Sequence, residues 1–216
     1  MKTLTEENYL KAIFHLIKPD NTVTVTDLSK FLNIKMPSVN SMMKKFVEKD
    51  WIRYESYKPL EVTESGKKEA ALIVRKHRLT EMFLVKKMNI GWENVHEIAE
   101  QLEHIHSEEF FEKMDELLNY PKIDPHGEPI PDKDGQIIKQ DLKKLSSCKV
   151  KENVVLTAVT LDTEDFLSYL NERKLVLTTK LKVLKIENID ATMIVQYEGK
   201  TEVLSKIICD KLLVKS

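Results

Sequence analysis

The sequence predicts a mainly α-helical protein with a small β component: an N-terminal winged helix-turn-helix, a helical unit suited to pairing with a second copy, and a C-terminal SH3-like β-barrel. Three observations carry this expectation. Apolar residues recur at helical spacing through most of the chain as far as Leu118. Prolines 121, 125, 129 and 131 and glycines 127 and 135 then crowd the stretch from Tyr120 to Gly135 and mark a long connection. Beyond it the pattern changes to short β-branched runs. A chain of 216 residues is long for one compact core and short for three full-sized domains, so we divide it into 1–73, 74–145 and 150–216.

From Glu6 to Ile17 the residues Tyr9, Leu10, Ile13, Phe14, Leu16 and Ile17 form a helical stripe, with Thr5 as its expected cap. After the turn Pro19-Asp20-Asn21, Val25 to Leu32 reads as a second, short helix capped by Thr26 or a near neighbour. A break over Asn33 to Met36 follows. Pro37 then suits the first turn of a third helix, where its missing N–H costs little, and Val39, Met42, Met43, Phe46 and Val47 continue the stripe. Two short helices around a tight turn make a helix-turn-helix. Trp51 to Glu55 and Leu60 to Thr63 read as two strands around Ser56-Tyr57-Lys58-Pro59, which is a wing.

A long helix is expected from about Thr63 to at least Lys87, and another from about Glu93 to Leu118. In the last third, Val154–Val159, Lys180–Ile186, Thr192–Tyr197 and Val203–Ile208 look like strands around a helix from Asp162 to Asn171, with Glu198-Gly199-Lys200 as a hairpin turn. A small closed barrel is the simplest way to cover their edges.

Composition bounds the function. Apolar residues make up 42% and charged residues 32% of the chain, as in an ordinary globular protein. The N-terminus has neither the basic segment nor the apolar stretch of a signal peptide, and no apolar run is long enough to cross a bilayer, so we expect a cytoplasmic protein with no membrane partner. Cys148 and Cys209 are isolated and read as buried apolar residues.

The net charge of -1 hides two opposite segments. Between Lys30 and Lys58 there are seven Lys and Arg against three acids; between Glu81 and Glu116, ten acids face three lysines. A basic segment followed by an acidic one that carries histidines points to a polyanion partner and a cation partner. A recognition helix enters a major groove with its leading turn at the base edges, while cationic side chains hold phosphates. Lys35, Pro37, Ser38, Asn40 and Ser41 occupy that turn, and Lys44, Lys45, Arg53 and Lys58 suit the phosphate backbone.

In the acidic segment His77 and Glu81 lie one turn apart, and His96, Glu100, Glu103 and His104 follow at i, i+4, i+7 and i+8, a stripe of ligand-type side chains. Carboxylates and imidazoles without a thiol suit Mn(II) or Fe(II) and admit Zn(II) in vitro. His106 falls off the stripe, and His15 and His126 read as structural. An enzyme is not expected, since there is neither a His-Glu-x-x-His motif nor a Gly-rich phosphate loop. A metal-independent winged-helix regulator is the alternative.

These residues resemble the diphtheria toxin repressor and manganese transport regulator family of metal-activated repressors, over nearly the whole chain. The resemblance rests on Glu7-Asn8-Tyr9-Leu10, Pro37-Ser38-Val39, Leu60 to Gly66, Arg75 to Glu81, Val95-His96-Glu97, Glu103-His104 and Pro125 to Pro131. It implies a homodimer on double-stranded operator DNA, a C-terminal SH3-like (FeoA-like) barrel and two metal positions per subunit. One would use His77, Glu81 and His96 with Asp162 and Asp165; the other Glu100, Glu103 and His104 with Asn8. Iron-responsive relatives carry Cys at position 100 and manganese-responsive ones Glu, so Glu100 favours manganese, with Fe(II) as the alternative. Asn8 departs from the Asp or Met of relatives.

Overall fold

The computed structural model describes residues 2–55 and 58–216, so part of the expected wing turn, Ser56 and Tyr57, lies outside the described residues. The chain forms two compact units. The first comprises Met1–Thr80, Ala99–Lys122 and Ile130–Ile138; the second comprises Glu81–Ile98, Ile123–Pro129 and Lys139–Ser216.

In the first unit, helix α1 spans Leu4–Leu16 and its cap is Thr3, two residues before the threonine expected from sequence. Thr3 wins because Glu6 stands three residues on: the threonine side chain takes the Glu6 N–H while the Glu6 carboxylate takes the Thr3 N–H, a reciprocal capping box. Helix α2, Val25–Leu32, is capped by Thr24 and closed by Asn33 in the left-handed region at φ 53°. Helix α3, Met36–Glu48, carries Pro37 in its first turn. Three short strands, β1 (Thr22–Val23), β2 (Ile52–Arg53) and β3 (Leu60–Val62), form an antiparallel sheet in the order β1-β3-β2. Strand β1 is too short at two residues to leave a period in the sequence. The core joins Leu10 and Ile13 of α1, Leu28 of α2, Val39, Met43 and Phe46 of α3 and Leu60 of β3.

Helix α4, Glu64–Met88, begins hard against β2. Thr63 accepts the Gly66 N–H at 3.0 Å and donates to the Asp50 carbonyl at 2.6 Å, which fixes the junction. A Cβ on Gly66 would lie 2.1 Å from the Trp51 carbonyl oxygen. Gly66→Ala is therefore expected to destabilise the protein by about 1–3 kcal/mol, outweighing the roughly 1 kcal/mol that alanine gains inside a helix. Thermal unfolding followed by circular dichroism measures this, and an unchanged midpoint would show that the junction opens freely.

The single helix expected from Glu93 to Leu118 is broken. Helix α5 covers His96–Leu102, and helix α6, Glu108–Leu117, starts afresh from Ser107, whose hydroxyl accepts the Phe110 N–H. Ser107-Glu108-Glu109 is a cap followed by two acids at the positive end of a new helix. Helix α6 is tied to α4 by the part-buried pair of Arg75 and Asp115, and Arg75 also donates to the Pro131 carbonyl at 2.7 Å.

The second unit contains β4 (Lys143–Lys144), β5 (Asn153–Val159), α7 (Glu164–Glu172), β6 (Lys180–Ile186), β7 (Met193–Tyr197), β8 (Lys200–Leu204), α8 (Lys206–Cys209) and β9 (Leu212–Lys215). The antiparallel sheet runs β4-β9-β5-β6-β7-β8. The run Val203 to Ile208, expected as one strand, is half strand and half helix, because Ser205 caps α8 by accepting the Ile208 N–H. Glu198 and Gly199 form the β7–β8 turn at φ 47° and 77°, as the hairpin signal requires. Leu156, Leu167, Leu181, Val195 and Leu212 centre the core.

The proline-rich stretch is ordered by its own hydrogen bonds. Within the second unit, Asp124 Oδ1 accepts the N–H groups of His126 and Glu128, both at 2.9 Å, and Val159 N donates to the His126 carbonyl at 2.9 Å. Gly127, at φ 92°, approaches β5 so closely that a Cβ would sit 2.2 Å from the Thr157 carbonyl oxygen. Among the described residues no helix is long and apolar enough to cross a membrane.

Candidate metal centre

One face of α1 supplies the first part of the site, because Glu7 and Lys11 are one turn apart and Asn8 is three residues from Lys11. The second part comes from α5 and the turn after it, through Glu100, Glu103 and His104, and the third from His77 on α4. All of these residues belong to the first unit.

Lys11 Nζ donates to Glu100 Oε1 at 2.5 Å and to Glu103 Oε2 at 2.9 Å. His77 Nδ1 lies 2.5 Å from that same Glu103 oxygen. Two lone pairs at this separation would repel, so Nδ1 carries the proton and donates it to the carboxylate. The His77 Nδ1 to Lys11 Nζ distance of 3.0 Å is then that of two donors sharing one acceptor. Burial pushes the Glu103 carboxyl up, but the His77 hydrogen bond and the Lys11 charge outweigh it and hold Glu103 below the ordinary carboxylate range.

Beside this cluster, Glu7 is fully buried, with Oε2 at 2.6 Å from His104 Nδ1 and Oε1 at 3.8 Å from His106 Nδ1. Three oxygens here, Glu7 Oε1, Asn8 Oδ1 and Glu103 Oε1, are buried without a hydrogen bond. An oxygen shut away from water without a donor costs about 1–3 kcal/mol. A cation within reach of such an oxygen would compensate it. His77, Glu100 and Glu103 present ligand atoms within 4.8 Å of one another, and this mixture of hard carboxylate oxygen and imidazole fits a divalent ion of the manganese or iron type.

The second unit holds another cluster. His96 Nδ1 lies 3.3 Å from Glu81 Oε1 and 3.6 Å from Asp162 Oδ2. The other Glu81 oxygen lies 3.6 Å from His126 Nδ1, while His126 Nε2 donates to the Trp92 carbonyl at 2.9 Å and its ring stacks on Trp92. Burial pulls the His126 imidazolium down, but the Glu81 and Asp124 carboxylates and the Trp92 carbonyl overcome it and raise it to about 9. Glu81, Asp124 and His126 also offer ligand atoms within 4.8 Å of one another. Asp165 stands exposed on the first turn of α7.

The i, i+4, i+7, i+8 stripe is thus not carried by one helix. Helix α5 ends at Leu102, leaving Glu103 and His104 in a turn, and His96 lies in the second unit while Glu100, Glu103 and His104 lie in the first. Sequence reasoning missed Glu7 and Lys11. Glu7 reads as an ordinary first-turn acid favoured by the helix dipole, and the available signal was the i, i+4 pairing of Glu7 with Lys11 on one face of α1. His126, read as structural, is buried against Glu81.

On the opposite charge balance, Lys35, Pro37, Ser38, Ser41, Lys44 and Lys45 of the α3 region are exposed and Asn40 is half-buried. Arg53 and Lys58 of the wing are exposed and, among the described residues, make surface ion pairs with Glu61 at 3.4 Å and Glu55 at 2.5 Å respectively. Such pairs are weak enough to exchange for phosphates.

Residues 1–60 match the family model described as the iron dependent repressor N-terminal DNA binding domain, and residues 63–132 match its metal binding and dimerisation domain. The iron-dependent repressor IdeR of Mycobacterium bovis is 33% identical over 127 residues, 59% of this chain and 55% of that protein. The chain therefore spans about half the length of the iron-dependent repressors it matches. Among solved structures, a manganese-dependent transcriptional repressor in complex with manganese superposes with a TM-score of 0.86 at 26% identity, covering 98% of this chain and 99% of the other. ScaR with bound Cd2+ superposes with a TM-score of 0.78 at 31% identity, covering 98% and 99%.

Proposed function

The chain belongs to the iron-dependent repressor family, whose members are DNA-binding transcriptional repressors rather than enzymes, and from that premise we propose that it is a cytoplasmic repressor of metal-uptake genes that Mn(II) switches on. The observation that carries the choice of metal is Glu100, an oxygen donor beside Glu103 and His77 where a thiolate would favour softer ions. Fe(II) is the second reading, because the relatives include iron-dependent as well as manganese-dependent repressors. Zn(II) binds in vitro by affinity order.

We assign one metal position to Asn8, Glu100, Glu103 and His104, joined by Glu7, whose orphan oxygen supports it. A second is assigned to His77, Glu81, His96, Asp162 and Asp165, supported by the one-turn spacing of His77 and Glu81 on α4 and the closeness of Glu81, His96 and Asp162. With these assignments we propose a functional division into 1–73 for DNA binding, 74–145 for metal binding and dimerisation, and 150–216 for the SH3-like domain. When bound, the ion supplies a compact divalent charge among these donors. Glu7 and Asn8 lie on α1, in the segment that matches the DNA-binding model, so filling the site fixes α1 against the segment Glu100–His104. In a homodimer this sets the spacing of the two α3 helices on an operator, and DNA in turn tightens metal binding by the same factor.

The test is fluorescence anisotropy on DNA from the protein's own promoter and from nearby metal-transporter promoters. Mn(II), anaerobic Fe(II), Zn(II) and a chelated control are compared at one salt concentration. Sequence-specific binding with Mn(II) and none with chelator is expected. Equal binding in chelator would leave the metal-independent regulator.

A further inference from the structure

We propose that Lys11 is a built-in competitor for the metal: its ammonium fills the carboxylate cradle of Glu100 and Glu103, a divalent ion enters only by displacing it, and this sets the metal concentration at which the protein responds. The inference rests on the assignment of Glu100 and Glu103 as metal ligands above. Lys11 Nζ touches Glu100 Oε1 at 2.5 Å and Glu103 Oε2 at 2.9 Å and stands 3.0 Å from His77 Nδ1. Glu100, Glu103 and His77 form one of the groups whose ligand atoms lie within 4.8 Å of one another.

An ammonium has three donors and no lone pair, so it cannot ligate a metal; it can only stand where one would. Two cations do not share a half-buried cradle, because their repulsion there is many times that in water. The Lys11 side chain is 12% exposed and Glu103 is sealed from solvent, so the pair is not a loose surface contact. Four flexible methylenes let the ammonium swing out while α1 stays in place. Glu7 and Asn8, on the same face of α1, remain behind as donors.

Lys11 therefore does two opposing things. It neutralises the clustered carboxylates of the metal-free protein, and it weakens the affinity for metal. A neutral replacement separates them: Lys11→Gln is expected to bind Mn(II) at least about tenfold more tightly, while its thermal midpoint in chelator falls below that of the unsubstituted protein.

The measurement uses the full chain and the electron paramagnetic resonance signal of free aqueous Mn(II), which disappears on binding, so that no DNA readout enters. Lys11→Arg, which keeps the charge, is expected to bind no more tightly than the original. Equal or weaker Mn(II) binding by Lys11→Gln overturns the proposal, as does tighter binding by Lys11→Arg. Should Lys11→Gln not fold in chelator, the Mn(II) concentration that restores its helical circular dichroism replaces the affinity, and a value above the original dissociation constant overturns the proposal. Glu103→Gln separates the two readings. If it weakens binding while Lys11→Gln fails to tighten it, only the role of Lys11 falls; if it leaves binding unchanged, the metal site falls and Lys11 with it.

Discussion

Replacing Glu103 with glutamine raises the Mn(II) concentration needed for operator binding by about 100-fold, the upper end of what losing an outer-shell partner costs and so a modest figure for a ligand. The substitution keeps the volume of a side chain that is fully buried and removes its charge. One Glu103 oxygen anchors both Lys11 and His77, and the other is buried with no hydrogen bond. The glutamine retains an acceptor for one of those donors and offers the ion a neutral amide instead of an anion. Anisotropy titrations with Mn(II) at fixed salt check this, with chelated protein as baseline. An unchanged metal response would remove Glu103 from the site and with it the assignment of Glu100 and His104.

Phe46→Ala has the largest expected effect on stability. Phe46 is completely buried at the centre of the first unit, edge-on to Tyr9 at 6.4 Å and to Trp51 at 5.0 Å between ring centres. Truncating such a ring costs about 3–5 kcal/mol in lost transfer energy and cavity, against a total stability for a protein of about 5–15 kcal/mol. Urea unfolding is expected to show a transition of the first unit at much lower urea than in the original chain. A loss below about 1 kcal/mol would mean that the surrounding helices close over the cavity, a collapse that close-packed cores rarely permit.

The helix-turn-helix was legible because its stripes of apolar residues obey the helical period and Pro37 punctuates α3. Strand β1 was not, since two residues hold no period. The break at Ser107 and the short helix α8 were hidden by apolar residues that fit either state; in both places a serine cap decided the outcome. The ligand-type residues were legible as types. Their grouping was not, because it depends on where α5 ends and on how α1 faces Glu100 and Glu103, and no spacing within one segment reports contacts between Lys11 and residues about ninety positions away.

The two tryptophans fall one to each unit, Trp51 in the first and Trp92 in the second, while both cysteines, Cys148 and Cys209, are buried in the second. Burial raises both thiols, Cys209 to about 12, so neither offers a thiolate at neutral pH while its surroundings stay closed. Nature has thus placed distinguishable spectroscopic and chemical labels in the two halves: indole emission reports on each, and maleimide capture on the second alone. Whether the halves melt together or one after the other can be watched without adding a dye.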